Sequence, residues 1–342
     1  MSALSWKELF PTKLSFVIFV AYILLFVGQG ILVTASQKSD NQYDYNIVTV
    51  VLLTEVLKLG LSSVLYCKDN SPQSLVQNVI DNKKILALYF VPALLYCFYN
   101  NLSFINLSVF DPTTYYLLLQ LRVVVTGILF QVIFSKTLSR KQWLSLVILT
   151  FGCMLKQINF TEASHDQKTP SLDIGLNGIF ILIQIFCSCL AGVYNEYLLK
   201  KQGADVNIFI QNIFMYLDSI VCNVVLLVIR GNLETAFTYS SLSKVFHYKV
   251  LLVMFNNAAI GIVTSFFLKT LNSILKTFAS ALELILTAVL SYLFFSIPIY
   301  LNTVLAIGTV MFAVYLYSQN PVSNPSKVRQ SEQVALVKAE EV

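Results

Sequence analysis

Long, nearly uncharged apolar runs separated by short polar stretches dominate the chain. The runs lie near 12–33, 46–66, 86–106, 113–134, 141–158, 173–199, 207–229, 249–269, 275–296 and 299–318. Crossing a hydrocarbon core takes roughly 20 apolar residues in a helix, so each run can span. The pattern predicts an all-α membrane protein with ten transmembrane helices. The third and fourth runs are the weakest, because Asn100, Asn101, Asn106 and Asp111 interrupt their hydropathy. The first run exceeds a signal-peptide core and no small-residue cleavage site follows it, so it reads as a retained span. The polar stretch 159–172 divides the runs five and five. Residues 12–158 and 173–318 are therefore expected to be two inverted five-helix repeats joined by that linker. A short segment, 1–11, precedes them, and the polar tail 319–342 has the composition of a disordered segment.

Composition strengthens the membrane reading. Only 12% of the 342 residues are charged and 56% are hydrophobic, against about 25% charged in a soluble domain. Ten spans place both termini on one side, and the lysines and arginines say which. With the termini lie Lys7, Lys13, Lys68, Lys83, Lys84, Lys136, Arg140, Lys141, Lys200, Lys201, Lys269, Lys327, Arg329 and Lys338. Opposite lie Lys38, Lys156, Lys168, Arg230, Lys244 and Lys249, a division of 14 against 6. Positive charge favours the cytosolic side, so both termini are expected there and the 159–172 linker in the lumen. The six cysteines (Cys67, Cys97, Cys153, Cys187, Cys189 and Cys222) sit in or beside apolar runs without CxxC spacing. They read as small buried hydrophobes. A sequon at Asn159 falls on the lumenal side, close to the membrane.

Charged side chains inside spans are costly, about 2.5–3.5 kcal/mol each, and normally face the bundle interior. Here they are Glu55, Lys58, Arg122, Asp218, Lys276 and Glu283, with Glu196 near a span end. Arg122 can offer two parallel donors to a phosphate; the structural alternative is a buried ion pair with Glu283 or Asp218. Lys276 opens the ninth run, as an anion ligand or as a lysine snorkelling to the headgroups. Glu55 and Lys58, three residues apart, share a helix face and read as a structural ion pair. Glu196 and Lys200 repeat the pattern at spacing four. Tyr96, Tyr99 and Asn100, with Tyr115 and Tyr116 in the next run, could stack a base and hydrogen-bond its edge or a sugar hydroxyl. An interfacial aromatic belt with interhelical amide bonds is the alternative. Gln211, Asn212 and Tyr216 form a similar patch.

Enzyme signatures are missing. His165 and His247 lie in loops, and the chain carries neither a GxxxxGK[ST] phosphate loop nor a paired-aspartate motif. ATP-driven transport within this chain is excluded, and no cofactor, metal or nucleic-acid partner is expected.

At these residues the chain resembles the nucleotide-sugar transporters, in the branch of CMP-sialic acid and UDP-galactose carriers of the drug/metabolite transporter superfamily. The matching segments are Thr54-Glu55-Val56-Leu57-Lys58-Leu59, Tyr99-Asn100-Asn101-Leu102-Ser103-Phe104 and Gln120-Leu121-Arg122. Next come Leu138-Ser139-Arg140-Lys141-Gln142-Trp143 and Ala191-Gly192-Val193-Tyr194-Asn195-Glu196. Gln211-Asn212-Ile213-Phe214-Met215-Tyr216, Gly261-Ile262-Val263-Thr264-Ser265 and Ile274-Leu275-Lys276-Thr277-Phe278-Ala279 complete the set, in family order. The resemblance implies an antiporter, not an enzyme, that imports UDP-sugar, UDP-galactose above others, into the Golgi lumen in exchange for nucleoside monophosphate. It places Arg122 and Lys276 among phosphate- and sugar-facing cations. Tyr96, Tyr99, Asn100, Tyr115, Asn212, Tyr216, Thr264 and Ser265 fall where the family lines its pocket. Two departures stand out. The family has Tyr-Gln-Leu-Lys where this chain has Leu119-Gln120-Leu121-Arg122, and glycine where it has Cys189. The residues leave open another nucleotide sugar (a UDP-N-acetylhexosamine or CMP-sialate), another organic phosphate, or a non-transporting scaffold or regulator. Oligomerisation, with itself or with another chain, is equally open.

Overall fold

The computed structural model describes residues 9–36, 45, 47–109, 112–157, 176–229, 231, 237–295 and 299–322. The 159–172 linker with its Asn159 sequon, and the tail beyond Val322, lie outside them. Every regular element among the described residues is helical. In order these are α1 (Lys13–Ser36), α2 (Ile47–Cys67), α3 (Pro72–Asp81), α4 (Lys83–Val109), α5 (Pro112–Leu119), α6 (Arg122–Phe134) and α7 (Arg140–Gln157). There follow α8 (Leu176–Tyr197), α9 (Ile208–Ile229), α10 (Tyr239–Val245), α11 (Tyr248–Thr270), α12 (Ser273–Phe295) and α13 (Leu301–Ser318). A π-helical turn, Leu198–Gln202, extends α8.

Eight segments among the described residues are long and apolar enough to cross a membrane. They come from α1, α2, α5 with α6, α8, α9, α11, α12 and α13. Helices α4 and α7 pack inside the same bundle, α4 against α8 and α9, α7 against α13. Two differences from the hydropathy reading matter. The fourth run is not one helix but α5 and α6, broken at Gln120–Leu121. The loop after the second run also carries a helix, α3. Ser71 caps its start by accepting from the Ser74 N–H at 3.2 Å, and Pro72 occupies the first turn, where its missing N–H costs nothing.

Burial is inverted relative to a soluble bundle. Val132, Leu293 and Ile229 are 70%, 65% and 73% exposed, whereas Gln184, Gln211 and Glu196 are at most 1% exposed. Apolar outer faces suit lipid, and polar groups point inward where they find one another. Asn106 donates to Gln184 Oε1 at 2.6 Å, joining α4 to α8, and Gln184 donates to the Tyr115 hydroxyl at 2.8 Å. Asn256 donates to Gln29 Oε1 at 2.8 Å, joining α11 to α1. The other principal packings are α11 on α1 and α2, α9 on α2, α6 on α7, α8 and α12, and α12 on α1 and α13.

The α7–α13 seam depends on a missing side chain. A Cβ at Gly152 would lie 3.0 Å from Val310 Cγ2 and 3.1 Å from Thr309 Cγ2. Small residues of this kind let membrane helices approach closely. Gly152→Leu is expected to force the seam apart at a cost of about 1–3 kcal/mol, read as a lower unfolding temperature in detergent. Gly152→Ala should lower it far less.

Candidate functional site

The break in the fourth run creates the site. Around it the hydrogen bonds tighten to i+3 spacing: Gln120 N to Leu117 O at 3.2 Å, Leu121 N to Leu118 O at 3.0 Å, and Val123 N to Gln120 O at 3.1 Å. Such an interruption survives at membrane depth only where protein or a water-filled cavity receives the released backbone groups. Arg122 is the first residue of α6, so its cation stands at the positive end of that helix.

A cavity of about 210 Å³ opens beside it. Arg122 and Thr126 of α6 line it, with Gln120 of the break, Cys153 of α7, and Ser188, Cys189 and Gly192 of α8. One face of α12 supplies Ser273, Lys276, Thr277, Ser280 and Glu283, at the three-, four- and seven-residue intervals that share a helix face. The Cys189 thiol donates to the Arg122 carbonyl at 3.3 Å, so α8 grips the backbone at the start of α6. The Tyr96 hydroxyl stands 3.8 Å from the Cβ position of Gly192, and Tyr22 of α1 neighbours Ser280, Glu283, Arg122 and Tyr96.

Charge is unbalanced here. Arg122 and Lys276 feel each other's fields, and Glu283 feels that of Arg122. The ion pairs within 4.0 Å among the described residues are Glu55–Lys58 and Glu196–Lys200, both at 2.7 Å. Neither Glu283 nor Asp218 closes on Arg122. Two cations against one carboxylate leave the cavity positive and able to take an anion with partial charge compensation.

The sequence-predicted residues divide into groups. Arg122 and Lys276 share the cavity, with Tyr96 at its edge. Tyr99 neighbours Tyr96 and Tyr115, and Asn100 follows on an exposed part of α4. Tyr115 is buried and holds the Gln184–Asn106 chain, away from the cavity lining.

A second cluster joins α2, α9 and α11. The Lys58 ammonium pairs with Glu55 and lies 5.7 Å from the centre of the Tyr216 ring. Gly261 makes the room: a Cβ there would lie 2.9 Å from the Tyr216 hydroxyl and 3.1 Å from Lys58 Cε. The Asn212 Nδ2 atom is buried without a partner, and Tyr216 Oη faces Ser265 without a hydrogen bond of normal geometry. Ser265 Oγ instead donates to the Gly261 carbonyl at 3.3 Å, and Thr264 beside it is half-buried. Buried polar atoms left unpaired cost about 1–3 kcal/mol each, so these mark a place where a ligand can supply the missing partner.

Sequence reasoning missed Thr126, Ser188, Ser273, Thr277 and Ser280, although the helical spacing of the α12 set was visible. It also missed how Glu196 works. One oxygen of this buried carboxylate accepts from Lys200 at 2.7 Å and the other from the Ser273 N–H at 2.7 Å. Lys200 in turn donates to the Leu271 carbonyl. Glu196 thereby ties the end of α8 to the α11–α12 turn and caps the helix that carries Lys276. Nearby, burial and the charges of Lys200 and Lys201 lower the Lys136 pKa, and Glu196 opposes them.

A solved crystal structure superposes with a TM-score of 0.61 over 88% of this chain and 95% of that one, at 12% identity. At that identity the likeness concerns the fold alone. The UDP-galactose transporter senju of Drosophila melanogaster is 60% identical over 95% of this chain and 91% of its own length. CMP-sialic acid transporter 1 of Oryza sativa subsp. japonica is 31% identical over 85% of this chain and 89% of its own. The profile of the nucleotide-sugar transporters matches residues 12–318. The chain belongs to the nucleotide-sugar transporter family, whose members are carriers and not enzymes.

Proposed function

We propose that the protein imports UDP-galactose into the Golgi lumen and returns nucleoside monophosphate, by alternating access of ten spans arranged as two inverted repeats. The observation that carries the substrate is the 60% identity, over 95% of the chain, to a UDP-galactose transporter. For the site it is the cavity with two cations and no ion pair to either among the described residues. The ten spans are the eight apolar segments together with α4 and α7. Both termini face the cytosol on the lysine and arginine division.

The packing supports two repeats. Exchange each span with the one five further on, α1 with α8, α2 with α9, α4 with α11, α5–α6 with α12 and α7 with α13. The pair α4–α8 then becomes α11–α1, α4–α9 becomes α11–α2, and α6–α8 becomes α12–α1. All six are observed, and α2–α9, α6–α12 and α7–α13 map onto themselves. The cations Arg122 and Lys276 belong to exchanged spans. Transporters of this design bind at the repeat interface, beside broken helices, as at Gln120–Leu121.

In this reading the phosphates lie against Arg122 and Lys276. The base and ribose lie toward Tyr96, Tyr99, Asn100, Asn212, Tyr216, Thr264 and Ser265, and the sugar enters the remaining hydroxyl-lined cavity. Tyr115, held by Gln184, acts by positioning α5. Glu55 and Lys58 remain a structural pair beneath Tyr216. The test is uptake of labelled UDP-galactose by proteoliposomes holding the purified protein, competed by unlabelled compounds. UDP-galactose and UMP are expected to compete, and uridine and galactose not to. Equal competition by unrelated organic phosphates would assign a different cargo.

A further inference from the structure

An anion cavity has no evident need of a carboxylate, yet Glu283 lines this one. It makes no ion pair among the described residues, although the charge of Arg122 acts on it. A charge inside a span is costly to insert and normally marks function, and this one weakens the field of the two cations. Its position suggests what offsets that. Glu283 lies seven residues beyond Lys276 on the same face of α12, about 10 Å along the helix axis at 1.5 Å per residue. The tyrosine and asparagine cluster around Tyr216 lies on α9, packed against α2 and α4. With the phosphates at Arg122 and Lys276 and the base toward that cluster, the part of the cavity left for the sugar is lined by Glu283, Ser280 and Thr126.

Resting on the transport reading above, we infer that Glu283 selects for the charge of the sugar: it accepts hydrogen bonds from the hydroxyls of a neutral hexose and repels a sugar that carries a carboxylate. An ionised carboxylate is an acceptor only, suited to hydroxyl donors. A second carboxylate beside it is the repulsive element on which discrimination between close analogues depends.

UDP-galactose and UDP-galacturonate make the test, since they differ only in whether C6 is an alcohol or a carboxylate. Each competes against labelled UMP exchange in proteoliposomes, for the wild type and for Glu283→Gln, which keeps shape but not charge. The wild type is expected to prefer UDP-galactose by at least about tenfold. Glu283→Gln is expected to narrow that preference to within about threefold and to weaken UDP-galactose more than UMP. An unchanged preference in the variant, or none in the wild type, overturns the inference. Equal weakening of UMP and UDP-galactose also overturns it, because Glu283 then serves the ribose. A wild type that exchanges UMP for neither compound refutes the transport reading, and this inference with it. A thermal melt of the variant in detergent shows that it is folded.

Discussion

Arg122→Ala is expected to reduce nucleotide-sugar uptake by at least about a hundredfold without reducing the unfolding temperature. The two halves of that result have separate causes. A guanidinium makes paired, charge-assisted hydrogen bonds to phosphate, each contributing about 1.5–3 kcal/mol. Losing two amounts to about 3–6 kcal/mol, or roughly two to four decades in affinity. Stability behaves differently because Arg122 makes no ion pair among the described residues. Removing a charge from a span relieves an insertion penalty of about 2.5–3.5 kcal/mol, so the empty variant should melt no lower than wild type. What it should lose is the rise in melting temperature that UMP confers on wild type. Arg122→Lys keeps the charge but not the planar fork and should fall between, within about tenfold of wild type. Normal uptake by Arg122→Ala would remove the phosphate role. A collapse in stability would mean that the arginine is structural.

Glu196→Ala has the opposite signature. This carboxylate is 1% exposed and holds both Lys200 and the Ser273 N–H. Its loss leaves the Ser273 N–H without its carboxylate and takes one partner from Lys200, while Asn272 Oδ1 still caps α12 by accepting from the Leu275 N–H at 2.7 Å. Breaking a buried pair from one side costs about 3–5 kcal/mol, so a marked drop in unfolding temperature is expected with UMP absent. Glu196→Gln keeps an acceptor for Ser273 but gives up the ion pair, and should lose about half as much. If both variants melt like wild type, the tie between α8 and the α11–α12 turn carries no load.

How much of this was readable in advance follows from the range of each interaction. Arg122 and Lys276 were visible because a charge within an apolar run is conspicuous one residue at a time. The Glu55–Lys58 contact needed only a spacing of three. The break at Gln120–Leu121 was not visible, since Leu117, Leu118, Leu119 and Leu121 keep the local hydropathy high on either side. Nor was the role of Tyr115, whose partner Gln184 lies 69 residues away. From sequence alone it joined Tyr96 and Tyr99 in one aromatic patch, whereas the fold turns it into a buried hydrogen-bond chain. Asn212 and Tyr216 were recognised as polar residues in a span. That Tyr216 sits under Lys58, in space left by Gly261, is a property of three helices far apart in the chain. The α12 face was readable from spacing, and the structural alternative for Arg122, an ion pair with Glu283 or Asp218, is not formed.

Exchange of nucleotide sugar for nucleoside monophosphate is the proposed transport mode. In the proposed mechanism a cavity holding two cations with one carboxylate reorients slowly when empty, whereas a bound anion compensates its charge and lets the two proposed halves reorient. A ligand moves an equilibrium only through such a difference between states. The direct measurement is uptake of labelled UDP-galactose by proteoliposomes loaded with UMP, compared with identical vesicles loaded with buffer. Internal UMP should accelerate uptake by about tenfold or more in wild type. Equal uptake with and without internal UMP would contradict the account.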